Sequence, residues 1–219
     1  IPTLLTMVMS LFVSAFQISI FDEFKKKDGS NFFKTVYTSV MMVLLVAASL
    51  LIFASKYLAV VLYKNDFYSA WMVGCILIFS FVFNSLSSLI GTIYTATKKT
   101  SVLLYSTLAA ACVNIALNII LIPGYGLYGA AFATLVSYVC VWLIRALLAK
   151  KQMEKGFIDR YSLIIMALIA FQIVIELSSF EYRMILSFVI VLLVIAVAYK
   201  KLRNSILYDK ITTIIERRK

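Results

Sequence analysis

The chain contains no histidine. A histidine-dependent triad, a histidine metal site and a histidine proton relay are therefore excluded within it. Acidic residues are scarce, ten against 21 Lys and Arg. None falls near the middle of an apolar stretch: Glu176 and Glu181 lie toward one end of theirs. Charges at mid-membrane are costly and mark ion or proton pathways, so these residues offer no such relay. Ion-driven transport would then draw its coupling groups from another part of the protein. Cys75, Cys112 and Cys140 each sit inside an apolar stretch with no spacing that pairs them. That excludes a zinc or redox motif and leaves them as small apolar packing residues. The chain opens on an apolar stretch with neither an initiator Met nor a signal peptide. It reads as a piece of a larger membrane protein that runs to the natural C-terminus.

What the chain does have is apolar length. Of its 219 residues 63% are hydrophobic, against about 45–50% in a soluble domain. They arrive in runs of roughly the length that crosses about 30 Å of hydrocarbon. The expected spans are 1–21, 36–54, 71–95, 102–122, 127–148, 161–180 and 183–199. Backbone groups in lipid must pair internally and no strand-like alternation is present, so the spans are helices. The expected fold is all-α, a polytopic transmembrane bundle of about seven helices.

The charges set an orientation. Eighteen of the 21 Lys and Arg fall on alternate gaps between the spans, and only Lys56, Lys64 and Arg183 on the others. The positive-inside rule puts the larger set in the cytoplasm, with Ile1 outside and the C-terminus inside. A net charge of +11 would suggest nucleic acid in a soluble protein. Here its partner is acidic membrane lipid, and no nucleic acid is expected.

Local signals add detail. Ile122-Pro123-Gly124-Tyr125-Gly126 carries no charge and joins two spans. Pro stops a helix and Gly allows a sharp reversal, so these spans should form a helical hairpin. The small residues Gly129, Ala130, Ala131 and Ala133 permit close helix packing. The stretch Tyr57–Tyr63 is too short to span and belongs at the outer interface. In the tail, Leu207, Ile211, Ile214 and Ile215 fall at helical spacing among basic residues, the pattern of an amphipathic surface helix.

Polar side chains inside the spans fall on faces at 100° per residue. Thr3, Thr6, Ser10, Ser14 and Gln17 share one face of the first span. Ser80, Asn84, Ser87, Gly91 and Thr95 share one face of the third, which Lys98 continues. Thr107, Ala111, Asn114 and Asn118 share a face of the fourth. Such stripes serve either as hydrogen-bonding glue between helices or as the wall of a water-accessible cavity. A stripe running the full depth favours the cavity. Asn114 and Asn118 would serve equally to brace the hairpin.

The strings Tyr68-Ser69-Ala70-Trp71, Ser85 through Thr100, Asn114 through Pro123 and Tyr125 through Thr134 resemble bacterial polysaccharide flippases. The resemblance is to the Wzx-type oligosaccharide flippases, in the polysaccharide-transporter branch of the MOP (MATE-like) superfamily. Ile1-Pro2-Thr3-Leu4-Leu5 with Ala15-Phe16-Gln17 is similar to the eighth helix of that family. The likeness covers residues 1–148 and is generic beyond. It implies two six-helix lobes with two extra C-terminal helices. This chain would hold helices eight to fourteen: 1–148 in the C-terminal lobe, 149–199 as the extra pair, 200–219 as a basic cytoplasmic tail. Its nearest partner is the N-terminal lobe of the same protein.

The implied activity is translocation of undecaprenyl-diphosphate-linked oligosaccharide across the bacterial cytoplasmic membrane, for capsule or O-antigen. The resemblance assigns no individual binding residues, so these rest on the stripes. Ser10, Ser14, Gln17, Asn84, Ser87, Asn114 and Asn118 are the candidates for sugar contacts. Lys98, Lys99 and Arg145 are candidates for the diphosphate at the cytoplasmic mouth, with topology anchoring as the plainer role of each. Neither a cofactor nor a metal is expected. Alternatives within the superfamily are a MATE-type drug or cation antiporter and a lipid II-type flippase. A membrane enzyme of polysaccharide assembly needs placed acidic or His groups; the adjacent acids Asp22 and Glu23 are explained by a helix terminus. A scaffold that docks a glycan polymerase is a third class, compatible with transport.

Overall fold

A computed structural model describes residues 29–62, 70–153, 158–178 and 181–216. Within them the elements are all helical: α1 (Gly29–Leu62), α2 (Ala70–Ala96), α3 (Ser101–Met153), α4 (Arg160–Leu177) and α5 (Arg183–Glu216). Each contains a stretch long and apolar enough to cross a membrane. The number is five among the described residues rather than seven. The span expected at 1–21 lies outside them, and those expected at 102–122 and 127–148 belong to one kinked element. The helix α1 runs on through Tyr57 to Leu62. The helix α5 continues unbroken through the tail to Glu216, with side chains described as far as Arg203. At 34 residues each, both exceed the length needed to cross about 30 Å of hydrocarbon.

The kink in α3 is a reversal. Gly126 has φ 53 and ψ −128, and Pro123 lies just before it. An L side chain is strained at that φ, so glycine is what permits the turn. Beyond it the two arms, 101–125 and 127–153, lie antiparallel. Asn114 Nδ2 donates to Ser137 Oγ (3.0 Å) and Arg145 Nη2 to Thr107 Oγ1 (3.0 Å). A straight helix would hold residues 23 apart at about 35 Å. At the bend the backbones touch: a methyl on Gly129 would meet the Leu121 carbonyl oxygen at 2.6 Å.

The core runs through α1 and α2, the two most enclosed rods. Phe33, Tyr37, Met41, Leu45, Ala48 and Ile52 are fully buried along α1, and Val82, Leu86, Leu89, Ile90 and Ile93 along α2. Trp142 ties the hairpin to both. Its Nε1 donates to Tyr37 Oη (2.7 Å), and its ring meets Phe83 edge-on at 5.3 Å. Helix α2 lies between the hairpin and α1, and α4 and α5 pair with each other and against α1.

The link between α2 and α3 is a closed cap. Lys99 N–H donates to the Tyr94 carbonyl (2.8 Å) and Lys98 N–H to that of Thr95 (3.1 Å). Lys98 holds the left-handed conformation (φ 56) that such a cap needs and that glycine usually supplies. Cross-helix contacts fix which ends meet. Tyr94 and Arg145 meet near the start of α3, and Lys201 pairs with Asp159. Late α1 meets early α5 through Phe53 and Phe188. Lys98, Lys99, Lys150, Arg160, Lys200, Lys201 and Arg203 thus gather at one end of the bundle, and Lys56 and Arg183 at the other.

At the basic end Asp159 caps α4, accepting from Ser162 N (2.9 Å), and pairs with Lys201. Lys201 also lies over the Tyr161 ring, 5.7 Å from its centre. Partial burial works to raise the carboxyl's pKa, but Lys201 and Ser162 outweigh it and hold the group below the usual Asp range. A folded pKa below the unfolded one means stability present above about pH 4 and lost as pH falls through the lowered value. Unfolding followed at pH 7 and pH 3 should show Asp159→Asn less stable than the parent at the higher pH. The difference should shrink at the lower one.

Candidate functional site

The two arms of α3 enclose a cleft of about 290 Å3. One wall carries Thr107, Ala110, Ala111 and Asn114; the other carries Thr134, Ser137, Tyr138 and Val141. The hairpin itself explains the polar lining. Thr107, Ala111 and Asn114 share one face of the first arm, and the reversal turns it toward the small-residue face of the second, where Gly129, Ala133 and Ser137 recur every four residues.

A hydrogen-bonded ladder crosses the cleft. Ser137 Oγ donates to the Ala133 carbonyl (2.6 Å) and accepts from Asn114 Nδ2; Asn118 Nδ2 donates to Asn114 Oδ1 (2.9 Å). The ladder ends in an open acceptor. Asn118 Oδ1 is buried and has no partner among the described residues. Such an atom forfeits the bond it made to water.

At the cleft's other end, the basic one, sits Arg145. Its Nε donates to Ser106 Oγ, Nη1 to the Ser87 carbonyl and Nη2 to Thr107 Oγ1, each at 3.0 Å. Its own carbonyl accepts from Tyr94 Oη at 2.8 Å. Gly91 of α2 leaves room for the guanidinium, whose Nη1 lies 3.5 Å from where a Cβ would stand. Of the five N–H donors of a guanidinium, three are engaged by neutral oxygens. Among the described residues the ion pair is that of Lys201 with Asp159, so Arg145 has no carboxylate partner there. Half-buried charge is normally paired.

The polar candidates of α2 are placed differently. Ser80 and Ser87 are buried and donate to their own helix, at the Ile76 (2.8 Å) and Asn84 (2.9 Å) carbonyls. Asn84 is half-buried and does not line the cleft. Ser87 reaches the site only through the carbonyl that receives Arg145. Lys98 and Lys99 are exposed at the basic end. Ser10, Ser14 and Gln17 lie outside the described residues. Of the sequence candidates the cleft is lined by Asn114, while Asn118 and Arg145 adjoin it through their hydrogen bonds to Asn114 and Thr107. It adds Thr134 and Ser137, for which the spacing of small residues after Gly129 is the available signal; Ser106 joins only as a partner of Arg145.

Sequence reasoning also missed Gln172. It is fully buried between α1 and α5: Ser49 Oγ donates to its Oε1 (2.7 Å), and its Nε2 donates to the Ser49 carbonyl and Ser187 Oγ (3.1 Å each). Single polar residues on three separate helices form no stripe, so periodicity carries no trace of them.

Fold and site together define a polytopic helical membrane protein with a polar cleft inside one hairpin. Comparison with protein-family models, curated proteins and solved structures finds no match for this chain.

Proposed function

We propose that the chain forms the C-terminal half of a transporter that moves undecaprenyl-diphosphate-linked oligosaccharide units across the bacterial cytoplasmic membrane for polysaccharide assembly. The observation that carries this reading is the α3 cleft, flanked at one end by a guanidinium without a carboxylate partner and at the other by an unfilled acceptor, both among the described residues. A sugar diphosphate cannot cross hydrocarbon alone, because each polar group would lose its bonds to water. A cleft lined by hydroxyls and amides replaces those bonds while the lipid tail stays in the bilayer. The fork of Arg145 suits a phosphate, and the Asn118 acceptor suits a sugar hydroxyl. By the positive-inside rule the end bearing Lys98 and Lys99 is cytoplasmic. Those exposed lysines would meet the diphosphate first. Alternation would come from rocking against the other lobe.

The test is export of lipid-linked glycan by the protein that carries this chain, with Asn114→Leu and Ser137→Ala combined. Export should fall at least about tenfold, the cost of losing about 1.4 kcal/mol of binding, while the amount in the membrane stays unchanged. Unaltered export would remove the cleft from the pathway.

A further inference from the structure

The polar cluster around Gln172 lies away from the cleft, where α1, α4 and α5 meet. One turn beyond Gln172 on α4 is Glu176, only 4% exposed and within hydrogen-bonding reach of Ser187. Its position opposes a charge twice over. It is enclosed among apolar helices, and it sits in the last turn of α4, where the helix carbonyls present partial negative charge. Two cations act on it electrostatically, Arg183 of α5 and Lys56 of α1. Neither forms an ion pair with it, the ion pair among the described residues being Lys201–Asp159. Arg183 lies instead over the Trp71 ring, 5.8 Å from its centre. Among the described residues Cys75 of α2 is a further titratable neighbour, and its Sγ is 3.2 Å from Ser55 Oγ.

The two directions along the bundle differ. Toward the end that carries Lys56 and Arg183, Glu176 is one residue from the end of its helix. Toward the basic end, the side chains that follow along the three helices, Leu45, Ile169 and Val194, are apolar and fully buried. An ionisable group inside a membrane bundle marks an ion or proton path more often than a structural contact.

We infer that Glu176 is a proton-binding site that exchanges with the solution at the Lys56/Arg183 end of the bundle and is sealed from the opposite end. The proton comes from water on that side, forms an O–H bond on a Glu176 carboxyl oxygen and leaves by the same route. No other reactant takes part. The site answers to pH on one face of the membrane alone, so it makes the packing of α4 against α5 respond to the acidity of that side. It stands independently of what the α3 cleft binds.

Infrared difference spectroscopy on the chain in lipid vesicles tests this, with pH stepped on one side while impermeant buffer holds the other. Lowering pH on the Lys56/Arg183 side should raise a protonated-carboxyl C=O band, and lowering it on the opposite side should not. Glu176→Gln should abolish the band, and Ser187→Ala, which removes the hydroxyl partner, should shift its frequency. A band that survives Glu176→Gln, follows the opposite side or ignores both would overturn the assignment. Should Glu176→Gln fail to fold, the Ser187→Ala spectrum decides: an unshifted band overturns it.

Discussion

Replacing Arg145 with Met should loosen the hairpin from α2 and, on the proposed function, stop transport. The side chain joins three segments, reaching Ser106 and Thr107 on the facing arm and the Ser87 carbonyl on α2. Hydrogen bonds to a charged group contribute about 1.5–3 kcal/mol each in water-soluble proteins, and interhelical bonds in membranes average nearer 0.6 kcal/mol. Three acting together put the loss at roughly 2–5 kcal/mol. Heating in detergent, followed by the fraction that remains monodisperse, would measure it. Arg145→Lys separates the two roles of the residue. Lysine keeps the charge but offers a point in place of a fork. It should insert normally, lose about 1–2 kcal/mol and still transport at least tenfold more slowly. Full transport by a stable Arg145→Met protein would show that the guanidinium serves neither purpose.

Gly129→Ala should be the most damaging single-methyl change in the hairpin. The new Cβ would stand 2.6 Å from the Leu121 carbonyl oxygen and 2.7 Å from its carbon. Those are backbone atoms and cannot rotate aside. Overpacking costs about 1–3 kcal/mol where side chains can yield, and more where they cannot. A loss of about 3 kcal/mol or more is expected, with the arms forced apart and the Asn114–Ser137 bond broken. Gly124→Ala is the control. Nothing lies within 4 Å of its added methyl and its φ is not positive, so its effect should stay within about 0.5 kcal/mol. Paired cysteines at 114 and 137 would report the separation directly, cross-linking in the Gly124 variant and failing in the Gly129 variant. Equal stability of the two variants would mean that the backbones do not meet at the bend.

Much of the helix pattern could be read from hydropathy, because the demand for apolar length is written residue by residue. The reversal near Pro123 and Gly126 was equally local, a property of two residue types. The partners of Arg145 were not. They lie 38 and 39 positions away on the facing arm, and only the bend brings them within reach. Periodicity correctly put Ser80 and Ser87 on a common face of α2. It could not say that each would satisfy itself on its own backbone and so need no cavity. Glu176 was visible as an acid near a helix end. Its enclosure by Ser187 and the neighbouring rods depends on contacts between α4 and α5 that no spacing within α4 encodes. The continuity of α5 into the tail was masked by composition. The change from apolar to basic residues at Lys200 reads as a boundary, whereas the backbone passes through it as one helix.

The arms of α3 are stitched at both extremities, by Arg145 at the basic one and by the backbone contact at Gly129 at the other. A pocket fastened in this way cannot gape toward the water above or below it. On the proposed function, a guest would have to slip in sideways, between the two stitches. That route suits a molecule that never lets go of its greasy anchor, and it would turn away a freely dissolved sugar of the same shape.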